Sequence, residues 1–261
     1  MNSEEKKIIL KTEGLTKHYG GVKALHDADF TLADGEHVAI VGDNGAGKST
    51  FIRQVTGVEI PTSGKIYFDG NLVNFKTPAD AKNAGIEAVY QNLALADDLD
   101  VPSNIFLGQE ETYFNLGPFS FLNENKMFKQ SIDVLAKTGI KIPDIKITKK
   151  NMSGGQRQCV AISRSAGFAS KLIIMDEPTA ALGVQETKQV EKIIRSLKEN
   201  GVPLIMISHN LRQVFNLVEK IWVFRQGQIV GCVETSKTDG NEIVSLITGV
   251  KQGVGEEASF I

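Results

Sequence analysis

With 261 residues, 41% of them hydrophobic, the chain is long enough for one large domain or two small ones and apolar enough for a sizeable core. Its 29 basic and 31 acidic residues leave a formal charge of −2, so no overall field draws nucleic acid and none is expected as a partner. No apolar run approaches the ~18 residues of a membrane span, the opening MNSEEKKIILKTEG lacks the apolar core of a signal peptide, and Cys159 and Cys232 form no C-x-x-C pair; these features predict a cytoplasmic chain with two buried thiols and no disulfide framework.

The first elements are period-2 stretches. KIILKTEG, KALHDADFTL and GEHVAIVG read as strands. The third runs into GDNGAGKST, residues 42–50, which matches G-x-x-x-x-G-K-[ST] between an apolar run and a helical pattern beginning at Lys48. Chemistry explains each residue type. Gly42, Gly45 and Gly47 permit a loop whose amides, with those of Asp43, Asn44 and Ala46, point inward at phosphate oxygens. Lys48 supplies a mobile charge for the terminal phosphates, and Ser49, followed by Thr50, offers a hydroxyl to Mg2+. The plain alternative, a glycine-rich turn ahead of a lysine, arises by chance in about a few per cent of chains this long, and the strand-loop-helix context lowers that further.

After the Pro61–Gly64 turn, GKIYFDGNLV continues the sheet pattern. From about Pro102 to Asn151 the spacing becomes helical, and in NENKMFKQSIDVLAKTGI the side chains of Met127, Ile132, Leu135 and Ala136 are expected to share one face. NMSGGQRQ, residues 151–158, then poses a puzzle. Ser153 and Gln156 have the spacing of a capping box, yet Gly154 and Gly155 fill the first helical turn, where glycine costs about 1 kcal/mol relative to alanine. Something must approach this backbone closely, and an anion suits the free amides and the helix dipole.

LIIMDEP follows, an apolar run ending in Asp176 and Glu177. Asp176 is placed to hold Mg2+ through water, and Glu177 to orient or deprotonate a water attacking the terminal phosphate. The structural alternative for Glu177 is a helix-capping acid ahead of Pro178. A GTPase would carry an N-K-x-D base reader, whereas Asn125-Lys126 is followed by Met127-Phe128, so ATP is the expected nucleotide. KLIIMDEP, VQETKQVEKIIRSLKENG, VPLIMISH, NLRQVFNLV and EKIWVFRQG alternate strand and helix as in a parallel sheet, and VKQGVGEEASFI reads as a loose tail.

P-loop, SGGQ and DEP in this order, with a helical stretch between the first two, resemble the ATP-binding subunit of an ABC transporter over nearly the whole chain. The resemblance implies an α/β P-loop NTPase core (about residues 5–90 and 159–250) with an N-terminal antiparallel β subdomain, an inserted helical subdomain (about 91–158) and a tail at 251–261. It implies that Tyr19 stacks on adenine, that Gln91 in VYQN senses the terminal phosphate beside Ser49, Asp176 and Mg2+, and that His209 in MISH contacts that phosphate. Lys48, Glu177 and His209 become the catalytic set, while His18, His26 and His37 gain no such support. In this family two copies pair head to tail, so Ser153, Gly154, Gly155 and Gln156 would close over the ATP held by a partner's P-loop. Met152 replaces the usual leucine, a nearly volume-conserving swap. Gly183 in TAALGV stands where many members carry an aspartate.

NLALADDLDVPSNIFLGQE and TAALGVQET are similar to bacterial monosaccharide importers of the ribose or fructose type, in which the first segment receives a helix of the permease. With one P-loop and one signature the chain would work as a homodimer, on the cytoplasmic face of the inner membrane, with permease subunits and, indirectly, a periplasmic sugar-binding protein. Two other classes share the motifs: soluble ABC ATPases of translation or DNA repair, usually with two cassettes or a long coiled-coil insert, and regulatory modules that bind ATP without turnover.

Overall fold

The computed structural model describes residues 6–113, 120–137, 144–167 and 171–250. Two sheets organise them. β1 (Ile8–Tyr19), β2 (Val22–Ala33), β4 (Ser63–Phe68) and β5 (Asn71–Val73) form an antiparallel sheet in the order β2-β1-β4-β5. GKIYFDGNLV is therefore a hairpin rather than one strand: Asp69 and Gly70 both take positive φ (50° and 79°), the type I′ geometry that an Asp-Gly pair favours.

The second sheet contains β3 (His37–Val41), β6 (Ile86–Val89), β7 (Leu172–Asp176), β8 (Leu204–Ile207), β9 (Lys220–Arg225) and β10 (Gln228–Glu234), in the order β10-β9-β3-β8-β7-β6. All its pairs are parallel except the β9-β10 hairpin. HVAIV and LIMI are buried at every position, as expected of strands covered on both faces. The strand period divides their side chains between two cores. Val38, Ile40, Ile205, Ile207, Trp222 and Phe224 face the antiparallel sheet, whereas Ala39, Val41, Met206, Ile221 and Val223 face the helices.

The helices are α1 (Lys48–Val55), α2 (Pro78–Ala84), α3 (Val101–Ile105), α4 (Glu124–Lys137), α5 (Gly154–Gly167), α6 (Val184–Glu199), α7 (Leu211–Leu217) and α8 (Gly240–Thr248). α1 lies between the sheets, where the Phe51 ring packs tilted at 5.0 Å from Phe30 of β2 and edge-on at 5.5 Å from Phe224 of β9. α5 packs on α6, α3, α4 and β6. The structure is an α/β cassette of the expected class.

Two sequence expectations require correction. On α4 the buried positions are Met127, Ser131, Val134 and Leu135, an i, i+4, i+7, i+8 stripe, whereas Ile132 is 46% exposed and Ala136 is exposed too. Ile132 lies five residues beyond Met127, about 140° around the helix from it. Cys159 is buried inside α5, but Cys232 is exposed on β10, the sheet's outer strand, so only one thiol belongs to the core. The expected loose tail after Val250 lies outside the described residues.

Candidate active site

β3, β8, β7 and β6 are adjacent and parallel, so their carboxyl ends share one edge of the sheet. Open α/β sheets bind ligands at that edge. Here the topology delivers four sequence-distant segments to it: Gly42–Thr50 after β3, His209 after β8, Asp176 and Glu177 at the end of β7, and Gln91 just beyond β6.

The loop after β3 needs its glycines for identifiable reasons. Gly42 has φ 150°, and a Cβ there would overlap the Phe224 carbonyl oxygen; Gly47 has φ 101° and would place a Cβ 2.8 Å from the Ala24 oxygen. Gly45, at φ 77°, has open space around it. Asp43, Asn44, Gly45 and Ser49 are exposed, Thr50 is half-buried and Ala46 is buried. The loop thus lies between β9 and β2 and presents its outer turn to solvent. Lys48 folds back over it, donating to the carbonyls of Gly42 (2.6 Å) and Asp43 (2.8 Å). Burial pulls its ammonium below the ordinary lysine range, against the opposing pull of Glu177, Asp43 and Asp176.

Asp176 closes β7 opposite Ile207, and the Glu177 amide extends that ladder by donating to the Ile207 carbonyl at 3.0 Å. Desolvation, then repulsion from Glu177, holds the Asp176 carboxyl above the usual range, with Lys48 and Arg53 pulling the other way. A divalent cation would relieve both the burial and the repulsion, so the donor set of Asp176 and the Ser49 hydroxyl fits Mg2+. Among the described residues no cluster of three or more His, Cys, Asp or Glu forms a metal cage, so phosphate oxygens and water would have to complete the shell.

Glu177 has φ 51°, in the left-handed region that costs a non-glycine residue of order 1–3 kcal/mol. The following Pro178 disfavours the right-handed helical alternative. In this conformation Glu177 Oε1 accepts a 2.8 Å hydrogen bond from His209 Nδ1, with Glu177 20% and His209 79% exposed. Lys48, Asp176, Glu177 and His209 are thereby brought to one place. Tyr19, at the end of β1, is 44% exposed with the Lys17 ammonium 5.4 Å from its ring centre; its hydroxyl donates to Glu59, which also takes Arg53 of α1 at 3.2 Å. Sequence reading missed Glu59 and Arg53, because nothing local marks them as supports for an aromatic forty residues away. Gln91 is exposed on the bend after Tyr90.

Ser153 and Gln156 form the expected capping box: the Ser153 amide donates to Gln156 Oε1 (2.8 Å) and the Gln156 amide to Ser153 Oγ (3.2 Å). Among the described residues, no hydrogen bond or ion pair links Ser153–Gln156 to the Gly42–Thr50 loop of the same chain. The two glycines have different surroundings. Gly154 is exposed, and a Cβ there would make an ordinary 3.5 Å contact with Leu182; Gly155 is buried, and a Cβ there would overlap the Glu186 side chain of α6. The close approach inferred from the sequence thus has, at Gly155, an intramolecular cause.

Residues 25–180 match the family model described as ABC transporter. The chain is similar to the fructose import ATP-binding protein FrcA of Rhizobium meliloti, with 41% identity over 94% of this chain and 95% of that one. It is equally similar to the xylose/arabinose import ATP-binding protein XylG of Sulfolobus acidocaldarius, 41% identical over 94% and 96%. Its fold superposes on the crystal structure of the ADP conformation of MJ1267, an ATP-binding cassette of an ABC transporter, with a TM-score of 0.78 and 27% identity over 95% of this chain and 99% of that one.

Proposed function

Because this chain belongs to the ABC transporter family, we propose that it is the ATP-hydrolysing subunit of a monosaccharide importer, working as a head-to-tail homodimer against a membrane permease. It is an ATPase of the ABC class. The observation that carries the mechanistic reading is the convergence of Lys48, Asp176, Glu177 and His209 at the carboxyl edge of the parallel sheet. The alternative of a soluble ATPase of translation or DNA repair is disfavoured by the import ATP-binding proteins that match across nearly the full length of both chains.

The Gly42–Thr50 amides and Lys48 hold the β and γ phosphates of ATP, and Lys48 leaves its two backbone carbonyls to reach them. Adenine lies on the exposed ring of Tyr19, braced by Glu59 and Arg53. Mg2+ held by Ser49 and Asp176, with Gln91 beside them, would neutralise charge between phosphate oxygens. His209 occupies Glu177 Oε1, which leaves Oε2 free to take a proton from the attacking water.

Residues about 91–158 serve as the arm that carries the signature, mounted on a nucleotide-holding body of about 5–90 and 159–250. The NLALADDLDVPSNIFLGQE segment, which would receive a permease helix, is tied down by side-chain-to-backbone hydrogen bonds. The two N–H groups of buried Asn104 are shared among the carbonyls of Ala96, Leu99 and Asp100, at 3.0–3.1 Å, and Arg164 of α5 donates to those of Leu93 and Ala94. No helix among the described residues is long and apolar enough to cross a membrane, so attachment at the cytoplasmic face would run through the permease. A periplasmic sugar-binding protein would feed the permease from the other side.

Mixed dimers test the head-to-tail reading. Lys48→Ala spoils the P-loop and Ser153→Arg the signature, so neither homodimer should occlude ATP. A heterodimer rebuilds one good site if P-loop and signature meet between chains. With Glu177→Gln in both chains to retain nucleotide, co-purified heterodimers should hold about one ATP each; none, in dimers shown to assemble, overturns the reading.

A further inference from the structure

Glu186 lies in the first turn of α6, three residues after Gly183, whose carbonyl accepts from Thr187 at 2.9 Å. Its side chain crosses two other segments. A Cβ at Gly155 would overlap the Glu186 Cγ and stand 2.5 Å from its Cβ, and a Cβ at Gly183 would stand 2.5 Å from its Oε2. The stem therefore rests directly on the backbone of the α5 first turn, and the carboxylate fills the space that a side chain at 183 would take. Leu182 lies over Gly154, so residues 182–186 clamp both glycines from one side. The loop leading into this clamp starts at Glu177 and turns through two left-handed non-glycine residues, Glu177 and Ala181. Thr179 fastens it to Gln213, which reaches Glu191 of α6.

We propose that Glu186 is a positioning residue for Ser153–Gln156: its stem, seated on Gly155, sets the angle at which this turn is offered to the ATP of the partner copy. The inference rests on the reading that the turn meets a partner's nucleotide. It assigns Glu186 to that partner's site and not to the site built from its own Lys48 and Glu177. The stem acts through shape. Glutamine at 186 keeps the same methylene contacts on Gly155 and places an amide oxygen or nitrogen beside Gly183, whereas alanine removes Cγ and everything beyond it. Occlusion needs both halves of the composite site in register, and positioning errors of about 1 Å already cost on the order of 100-fold where reacting groups must meet, so loosening this seat should be felt in the closed state.

The assay is ATP occlusion and ATP-driven dimerisation of the full chain, with Glu177→Gln in every protomer. Glu186→Ala should lower occlusion in its homodimer about 10- to 100-fold while the isolated chain binds ATP as before, and Glu186→Gln should occlude like its parent. Mixed dimers locate the lesion. Paired with Lys48→Ala, the Glu186→Ala chain contributes an intact P-loop to an intact partner signature, so one site should be rebuilt. Paired with Ser153→Arg, both sites carry a lesion and none should form. The reversed pattern would assign Glu186 to its own P-loop and overturn the proposal. So would failure in both mixtures, undiminished occlusion in the Glu186→Ala homodimer, or a Glu186→Gln chain as impaired as Glu186→Ala. The Lys48→Ala with Ser153→Arg pair separates the two readings: its failure removes the head-to-tail dimer itself, whereas its success with the wrong Glu186 pattern removes only the role of Glu186.

Discussion

Glu177 and His209 leave the ends of neighbouring strands, 32 positions apart in sequence, and meet through a 2.8 Å hydrogen bond between Oε1 and Nδ1. The bond holds the carboxylate at the sheet edge beside Lys48 and Asp176 and leaves one carboxylate oxygen for water. Glu177→Gln keeps the size and the contact with His209 but removes the carboxylate proposed as the base. Turnover should fall about 100- to 10,000-fold while ATP binding persists, measured as phosphate release against nucleotide bound. Wild-type turnover in this variant would eliminate Glu177 as the base.

Lys48 is already partly desolvated and, among the described residues, donates to the carbonyls of Gly42 and Asp43, two contacts that it would exchange for phosphate oxygens in the proposed site. Lys48→Ala should lose nearly all ATP binding and hydrolysis, since no other cation of the loop replaces it. Retention of ATP affinity in equilibrium dialysis would refute the assignment of this loop as the phosphate cradle.

Gly42 and Gly45 separate steric need from conformational need. Both have positive φ, but only at Gly42 does an added Cβ run into another strand, at the Phe224 carbonyl. Gly45→Ala should cost about 1–2 kcal/mol, the usual penalty for a left-handed alanine. Gly42→Ala should cost more and depress ATP binding, because β9 or the loop must move. Equal urea midpoints for the two variants would contradict this.

His37 opens β3 in full burial, with Nε2 2.9 Å from the Val202 carbonyl. Burial depresses its pKa below the ordinary 6.5, with Lys198 acting in the same direction and the Val202 and Leu217 carbonyls and Glu219 opposing. The unfolded chain therefore binds the proton first, and stability falls as pH drops below 6.5. Asp176, held above its usual range, has the opposite sign, since protonation at lower pH favours the folded state. His37→Gln, which keeps a donor for Val202, should lose less stability than the wild type between about pH 7.5 and 5.5, one unit either side of an unperturbed imidazole, in urea titrations. Identical slopes would show that His37 does not titrate in this window.

Periodicity and turn chemistry, which are properties of neighbours in the chain, made much of this protein legible in its sequence. The buried strands HVAIV and LIMI, the P-loop between β3 and α1, the Ser153–Gln156 capping box and the acids ending β7 were all readable there. The i, i+4 phase on α4 was also present in the sequence, in the spacing of Met127 and Ser131, but an apolar pattern containing Ile132 and Ala136 concealed it. The Asp69-Gly70 hairpin was likewise present as a turn dipeptide.

Tertiary structure decided which residues face one another. The strand order β9-β3-β8-β7-β6 does not follow the chain, so no local spacing could put His209 beside Glu177, and none could put Glu59 at the Tyr19 hydroxyl forty residues away. Gly155 shows the difference most clearly. The sequence marked it as a place of close approach, since glycine is costly in a first helical turn. Only the packing of α5 on α6 identified the approaching group, the stem of Glu186 thirty-one residues downstream, because a glycine records that space is needed and not what fills it.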